Sequence, residues 1–292
     1  MKVYLVLSFL LALVLVTSRS EAQHPIDIQK MTAAGKYYEA LSLFEQLPER
    51  KVTIEALEAA ARSAWGLSLL DRASTYIDRI LLDETLSGER RAKSLFMRAM
   101  IELHADKPRV AILFADRAKA LIQSPTELRG SILMLLGDAH ISLAQLGPAK
   151  ANYSDAFEEV SEELIAEVAF RLAEVERKLG NLEEATDFYR KVPVSHERAP
   201  EAMRALSEVS LQAKDYTGVQ LWLTKGRELY PDHFLDSWVE YALARSAFEM
   251  DDLRTLQKIR EAATEKYPTS DSWITLLHAL AEKAEWNILL QN

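Results

Sequence analysis

The sequence predicts an all-α fold, an α-solenoid of about seven antiparallel helix hairpins followed by a terminal helix. Glycine and proline contribute only nine residues each to a chain of 292, about half of their average usage, so few turns interrupt the helices. One short pattern also recurs along nearly the whole chain. Self-similarity at a period of roughly 20 to 50 residues is typical of stacked repeats.

The clearest copy of this pattern runs from Gly180 to Pro193. The turn glycine is followed after five residues by Ala185, after four more by Tyr189, and after three more by Val192. Equivalents of Ala185 recur at intervals of roughly 35 residues. They are Ala40, Ala73, Ala111, Ala149, Val219 and Leu256. Such an interval fits two helices and two short turns, so each unit is one hairpin.

This pattern resembles the tetratricopeptide repeat family. The resemblance rests on Gly35, Tyr37, Ala40 and Phe44 in the first unit and on Leu136, Gly137, Ala149, Tyr153 and Ala156 in the fourth. It implies a right-handed superhelix over residues 23–292. The implied units are approximately 23–50, 51–86, 87–124, 125–160, 161–195, 196–231, 232–268 and a partial terminal unit, 269–292. The second unit lacks the turn glycine and has Ser68 in the turn.

Two local signals predict where helices begin and end. Ser124, Pro125 and Glu127 combine a capping serine, a first-turn proline and a glutamate three residues after the serine, which predicts a helix starting at Pro125. The segment 284–286 reads as a turn after a short terminal helix that contains Trp273. An unfinished stack exposes apolar surface, so we expect a homo-oligomer formed through the C-terminal end.

The segment that precedes Gln23 predicts export. Lys2 precedes an apolar run over residues 3–16, and Ser20 and Ala22 are small residues at the two positions that a signal peptidase reads. We expect cleavage after Ala22; the alternative is that the segment remains as an anchor. The chain has no cysteine, which excludes a lipoprotein cysteine and a disulfide-stapled module. The bacterial periplasm or cell envelope fits best.

The charge of the chain narrows the class of partner. The net charge is −9, and residues 1–22 contribute +1 from Lys2 and Arg19 against Glu21, so the mature chain carries about −10. Binding to nucleic acid needs a concentrated basic surface. We therefore expect a protein or peptide partner, no nucleic acid, and no direct membrane binding after signal cleavage.

No motif for catalysis is present in the sequence. The six histidines at positions 24, 104, 140, 196, 233 and 278 are too far apart to form a zinc-binding pair on one helix. The chain also lacks a glycine-rich phosphate loop, a Gly-x-Ser-x-Gly elbow and a Ser-x-x-Lys pair. We expect a non-enzymatic protein with no cofactor and no metal.

The resemblance implies that the first helix of each unit lines a concave groove, where a ligand would bind. In the last complete unit the packing face is Leu243, Ala244 and Ala247, and the residues spaced 0, 3, 7 and 10 lie on the other face. The predicted partner-binding residues are Trp238, Tyr241, Arg245, Phe248, Arg62, Trp65, Phe170, Glu174 and Arg177. The alternative is that Trp238, Tyr241 and Phe248 are covered by the segment around Trp273 and Trp286.

Three functions remain open. The first is an interaction scaffold or adaptor of the periplasm or cell envelope, which binds a peptide or protein in the groove. The second is a self-associating structural spacer. The third is the helical portion of a cell-wall or polysaccharide enzyme system. It is the least favoured, because no stretch breaks the repeat pattern for long enough to contain a catalytic domain.

Overall fold

A computed structural model describes residues 25–268 and 270–291. Its internal contacts divide the chain into two compact units, one ending at Glu159 and the other beginning at Val160. We call them the N-terminal unit and the C-terminal unit. The predicted signal peptide and its cleavage site after Ala22 lie outside the described residues.

The N-terminal unit contains four helix hairpins. In chain order they are α1 (25–33) with α2 (Tyr37–Glu45), α3 (Ile54–Gly66) with α4 (Leu70–Leu81), α5 (Gly88–His104) with α6 (Pro108–Leu121), and α7 (Glu127–Ser142) with α8 (Leu146–Phe157). A short 3-10 helix, Glu49–Lys51, follows the first hairpin.

The C-terminal unit contains three hairpins and a terminal helix. They are α9 (Glu162–Leu179) with α10 (Leu182–Tyr189), α11 (Ala199–Gln212) with α12 (Tyr216–Leu229), α13 (Ser237–Glu249) with α14 (Leu253–Lys266), and α15 (Ser272–Gln291). A 3-10 helix, Pro231–His233, follows the sixth hairpin. The described residues therefore confirm the predicted all-α fold of seven hairpins and a terminal helix.

Every hairpin in the described chain turns through one residue with a left-handed backbone. These residues have φ between 56° and 84°, and they are Gly35, Ser68, Asp106, Ala144, Gly180, Lys214 and Asp251. The N–H of each donates to the carbonyl three residues earlier, and the next N–H donates to the carbonyl five residues before itself. This pair of hydrogen bonds is the Schellman motif, which supplies donors to carbonyls that would otherwise be unpaired at a helix end. The geometry of the turn is the same throughout, although only two of the seven residues are glycine.

Side-chain caps explain several helix starts. Thr53, Ser87, Thr126, Asp215 and Asp252 each accept a hydrogen bond from the backbone N–H three residues later. Such caps satisfy amides that a helix start leaves unpaired and contribute about 1 kcal/mol each. In the fourth hairpin this cap corrects our prediction.

The predicted helix start at Pro125 is wrong by two residues. The Thr126 hydroxyl, not that of Ser124, accepts from the Arg129 N–H at 3.2 Å, and α7 begins at Glu127. Thr126 has an extended backbone with φ −150° and ψ 157°, which is typical of a capping residue. Two neighbouring hydroxyl residues made the sequence signal ambiguous.

The predicted turn at residues 284–286 is also wrong, because α15 runs without a break from Ser272 to Gln291. This segment contains neither glycine nor proline to stop the helix. Its inner side is apolar and buried at Ile274, Leu277 and Ala281. No helix among residues 25–268 and 270–291 combines the length and the apolar character that crossing a bilayer requires.

The predicted repeat alanine marks the core of each hairpin. It and its equivalents lie on the second helices and are at most 2% exposed: Ala40, Ala73, Ala111, Ala149, Ala185, Val219 and Leu256. Buried residues form several clusters within each unit instead of one central core. Each cluster joins neighbouring hairpins, as expected for a protein stabilised by contacts between adjacent repeats.

Candidate binding surface on the first helices

The turn geometry fixes the register of the first helices from α3 to α13. In each of these six helices, the N–H of the left-handed turn residue donates to the carbonyl of a residue three positions earlier. We take that residue as the last of four positions with the spacing 0, 3, 7 and 10 along the helix. We call these positions the first-helix row. Its members are Glu55, Glu58, Arg62, Trp65; Lys93, Phe96, Met100, Leu103; Ser131, Met134, Asp138, Ile141; Glu167, Phe170, Glu174, Arg177; Glu201, Arg204, Glu208, Leu211; and Trp238, Tyr241, Arg245, Phe248.

The row is partly accessible in both units. Trp65, Phe170, Glu174 and Arg177 are half-buried, and Arg62 is exposed. The four predicted residues of α13, which are Trp238, Tyr241, Arg245 and Phe248, are also half-buried. Several residues that directly follow a row member are small and buried, such as Ala59 and Ala242. Each first helix therefore has a packed face and a row that solvent reaches.

In the C-terminal unit, arginines pair with the charged residues of the row across adjacent helices. Arg198, just before α11, contacts Glu167 at 3.4 Å and Glu201 at 2.6 Å. Arg204 binds both carboxylate oxygens of Asp236, at 2.5 and 3.0 Å. A bidentate arginine–carboxylate pair holds both groups in one geometry. These charges tie consecutive hairpins together.

The aromatic side chains of the same unit are partly covered. The Arg204 guanidinium lies 4.7 Å from the Trp238 ring centre, and the Tyr241 ring lies 5.1 Å from that of Trp273. Lys283 lies 5.4 Å above Phe248. The alternative that the terminal segment covers these aromatics is thus supported for Trp273. Trp286 is itself 64% exposed.

In two hairpins, a tyrosine of the second helix donates a hydrogen bond to the carboxylate at the third row position. The Tyr153 hydroxyl donates to the Asp138 carboxylate at 2.6 Å, and the Tyr189 hydroxyl donates to the Glu174 carboxylate. Both tyrosines follow the repeat alanine of their hairpin by four positions. Burial of the Tyr189 hydroxyl, with its bond to Glu174, raises the Tyr189 pKa. The hydroxyl therefore stays protonated and remains a donor.

The second hairpin has a different pair at these positions. Arg62 occupies the third row position, and Ile77, 1% exposed, occupies the position of the tyrosine. Isoleucine has no hydroxyl, so a hydrogen bond between the second helix and the third row position does not form. A cavity of about 150 Å³ lies there instead, lined by Glu58, Arg62, Ile77, Lys93, Ser94 and Met97.

The acidic residues near this cavity are already neutralised. Arg90 at the start of α5 binds Glu58 through two nitrogens, at 2.7 and 3.0 Å, and binds Glu55 at 2.7 Å. The hydrogen bond and charge of Arg90 lower the Glu55 pKa. Arg62 is the one charged residue of the row for which the described structure contains neither an ion pair nor a hydrogen bond.

A second cavity adjoins the row in the N-terminal unit. Its volume is about 650 Å³, and its lining includes Lys93 of α5, Leu121 at the end of α6 and Ser131 of α7. Lys93 lines both cavities, so they follow one another along α3, α5 and α7. Within the part of the chain that the structure describes, no three histidine or carboxylate side chains are grouped closely enough to hold a metal ion.

Sequence reasoning identified the row but not which residues in it are engaged. It missed the pairing roles of Arg198, Asp236 and Arg90, because these lie at helix starts, outside the 0, 3, 7, 10 pattern. It also missed Met97 of the smaller cavity. The usable signal was Ile77. It follows the repeat alanine Ala73 by four residues, which is the position that tyrosine occupies in two other hairpins.

Comparison with known proteins supports the fold. No protein-family model matches the chain, and no curated protein matches it in sequence. Among solved structures, RapI in its apo form aligns with a TM-score of 0.64 and 12% identity over 91% of this chain and 86% of its own. PilF of Pseudomonas aeruginosa aligns with a TM-score of 0.59 and 13% identity over 74% and 96%.

YrrB, described as a tetratricopeptide protein with an unusual peptide-binding site, is also similar. It aligns with a TM-score of 0.51 and 17% identity over 68% of this chain and 93% of its own. At these identities the similarity concerns the fold alone. The chain has a tetratricopeptide-like fold, which confirms the resemblance predicted from the sequence.

Proposed function

We propose that this tetratricopeptide-like chain is a non-enzymatic scaffold or adaptor that binds a protein or peptide through its first-helix row. One observation carries the proposal: the same four positions are accessible on each of six consecutive first helices, and on all of these helices except α7 they include an aromatic residue or an arginine. Aromatic residues and arginine contribute most of the binding energy at many protein interfaces. YrrB, with a similar fold, has a peptide-binding site.

We further propose that the protein is exported to the periplasm or cell envelope of a bacterium, with residues 1–22 removed. The sequence of that segment supports this proposal. The mass and N-terminal sequence of the protein purified from fractionated cells test it. A mature chain that starts at Gln23 in the periplasmic fraction is expected, and a retained Met1 in the cytosolic fraction would contradict it.

Cross-linking in the native cells tests the scaffold proposal. A tagged full-length chain is cross-linked, and captured proteins are identified by mass spectrometry. One variant changes Trp238, Tyr241, Arg245 and Phe248 to alanine, and a second changes Arg62 and Trp65. Circular dichroism must first show that both are folded. Loss of one defined partner with either variant is expected; a chain that captures no partner dependent on the row would contradict the proposal.

The second candidate function is a self-associating spacer, and the terminal helix favours it. Trp286 is 64% exposed, Leu289 67% and Leu290 80%. Large apolar side chains that are close together and exposed often mark an interface. Sedimentation of the wild-type chain and of Trp286→Ser with Leu290→Ser, at several concentrations, separates the two functions. A concentration-dependent dimer that the double variant abolishes would support the spacer.

A further inference from the structure

We propose that the cavity between Arg62 and Ile77 is the anchor point of the partner and that it selects an acidic residue next to an apolar one. The partner's carboxylate would bind the Arg62 guanidinium, and the neighbouring apolar side chain would enter the cavity over Ile77 and Met97. This inference rests on the scaffold function proposed above and specifies the chemistry of its ligand.

The first argument is that the second hairpin lacks the hydrogen bond between the second helix and the third row position. In the fourth and fifth hairpins, a tyrosine of the second helix donates to the carboxylate at the third row position. In the second hairpin that charge is inverted to Arg62, and the tyrosine is replaced by Ile77. Among the described residues, the second hairpin therefore presents an unpaired cation beside a cavity, and that cavity is lined by the residue found where two other hairpins have a tyrosine.

The second argument is charge complementarity. The nearest acidic residues, Glu55 and Glu58, are both bound by Arg90, so neither pairs with Arg62. Lys93 pairs with Glu89, and both of these side chains are more than half exposed. Exposed pairs of this kind are weak and exchange readily. A carboxylate from a partner would therefore meet two cations at this cavity: Arg62, which is unpaired in the described structure, and Lys93, which is weakly held.

The third argument is size and surroundings. A cavity of about 150 Å³ is large enough for a group the size of benzene. An aliphatic or aromatic side chain of a partner fits this volume against Ile77 and Met97. Trp65, half-buried with its ring 5.1 Å from that of His104, lies one turn along α3 from Arg62. It extends the apolar contact beyond the cavity.

Selection from a random peptide library tests the proposal on the full-length chain. Phage-displayed dodecapeptides are selected against the wild type, Arg62→Glu and Ile77→Tyr. The matched control is Arg109→Glu, which makes the same change in net charge at an exposed arginine of α6 outside the row. Affinities of selected peptides are then measured by fluorescence anisotropy, and circular dichroism checks the fold of each variant.

Peptides selected on the wild type should be enriched in aspartate or glutamate next to leucine, isoleucine, methionine or phenylalanine. Arg62→Glu should weaken their binding by about tenfold or more, since it removes a charge-assisted hydrogen bond and adds repulsion. It should itself select basic residues at the same peptide position. Ile77→Tyr should weaken binding by filling the cavity. Arg109→Glu should have no effect beyond about twofold.

The outcomes separate this proposal from the scaffold function. Selected peptides that bind the wild type without acidic enrichment, or that bind Arg62→Glu equally well, would overturn the anchor point and leave the scaffold function intact. Because Arg62 is an exposed side chain, this variant is informative even if Ile77→Tyr does not fold. If no peptide is enriched on the wild type, both the anchor point and a peptide-binding scaffold are contradicted.

Discussion

The first-helix row occurs in both units, yet its arginines have different surroundings in each. In the C-terminal unit, Arg204 binds the Asp236 carboxylate and also covers Trp238. In the N-terminal unit, Arg62 binds no residue of the described chain and adjoins a cavity lined by Ile77. A row position is therefore not in itself a binding residue. What matters is whether the chain already supplies its partner.

The greatest loss of stability should come from crowding Tyr153, which occupies in the fourth hairpin the repeat position that Ile77 occupies in the second. A Cβ added to Gly137 would lie closer to the Tyr153 ring than real Cβ contacts allow. Because a closely packed core resists added atoms, Gly137→Ala should lower the free energy of unfolding by about 2 kcal/mol. Urea denaturation measures this change.

Gly147→Ala provides the matched control in the same unit, since the added Cβ would meet no other atom within 4 Å. This substitution should leave stability unchanged or raise it by about 0.5 kcal/mol. Equal destabilisation by the two substitutions would contradict the close packing of Tyr153 against α7.

A smaller effect should distinguish the two arginines directly. Arg204→Ala should lower the free energy of unfolding by about 1 kcal/mol, because it removes a bidentate pair and a cation–π contact of a side chain that is mostly shielded from solvent. Arg62→Ala should change it by less than about 0.5 kcal/mol. Thermal or urea unfolding of the two variants measures the difference, and a greater loss with Arg62→Ala would reverse our assignment of roles.

Substitutions in the turns should have the same effect on stability in both units, because the turn geometry is the same. The units would then differ only in the surroundings of their row residues. Ala144 and Lys214 have φ of 56° and 60°, a region that costs a residue with a Cβ about 1 kcal/mol. Ala144→Gly and Lys214→Gly should each stabilise the chain by about 0.5 kcal/mol after the entropy of glycine is counted. Gly180→Ala should destabilise it. Urea unfolding measures all three, and opposite signs for the two glycine variants would show that the turns also differ.

The weakest effect should be the pH dependence of the Asp236 pair. Burial acts to raise the Asp236 pKa, but the hydrogen bonds and charge of Arg204 outweigh burial and lower it. A depressed pKa in the folded state means that the pair stabilises the fold above the ordinary aspartate pKa of about 3.9 and ceases to do so as pH falls through the folded value.

Asp236→Asn therefore should be less stable than the wild type at neutral pH, and the difference should shrink as the pH falls below about 4. Urea unfolding at a series of pH values measures it. A difference that stays constant with pH would show that the ionised Asp236 carboxylate does not stabilise the fold.

Much of the fold followed from the sequence because each hairpin repeats a small set of sterically required residues. The repeat position, alanine in five of the seven hairpins, predicted the core, since an apolar residue is buried there in every hairpin of the described chain. The turns at Ser68 and Lys214 were harder, because backbone hydrogen bonds there override the preference of non-glycine residues. The start of α7 was misplaced because Ser124 and Thr126 are both good caps.

The candidate site was predictable only in part. Helical spacing placed Trp238 and Arg62 in the row of their helices, because that depends on one helix alone. Whether each side chain has a partner depends on the neighbouring helix. Asp236 and Ile77, which decide the matter for Arg204 and Arg62, belong to other elements, the cap of α13 and the middle of α4. Periodicity within one helix carries no information about such pairs.

Hydrogen–deuterium exchange of the full-length chain, with and without a selected peptide, decides whether the unpaired part of the row is where the partner binds. If the partner binds at the Arg62 cavity, bound peptide should slow exchange in α3 and α5 and leave α11 and α13 unchanged. Slower exchange confined to α11 and α13 would contradict this account, because the partner would then bind the row whose charges are already paired.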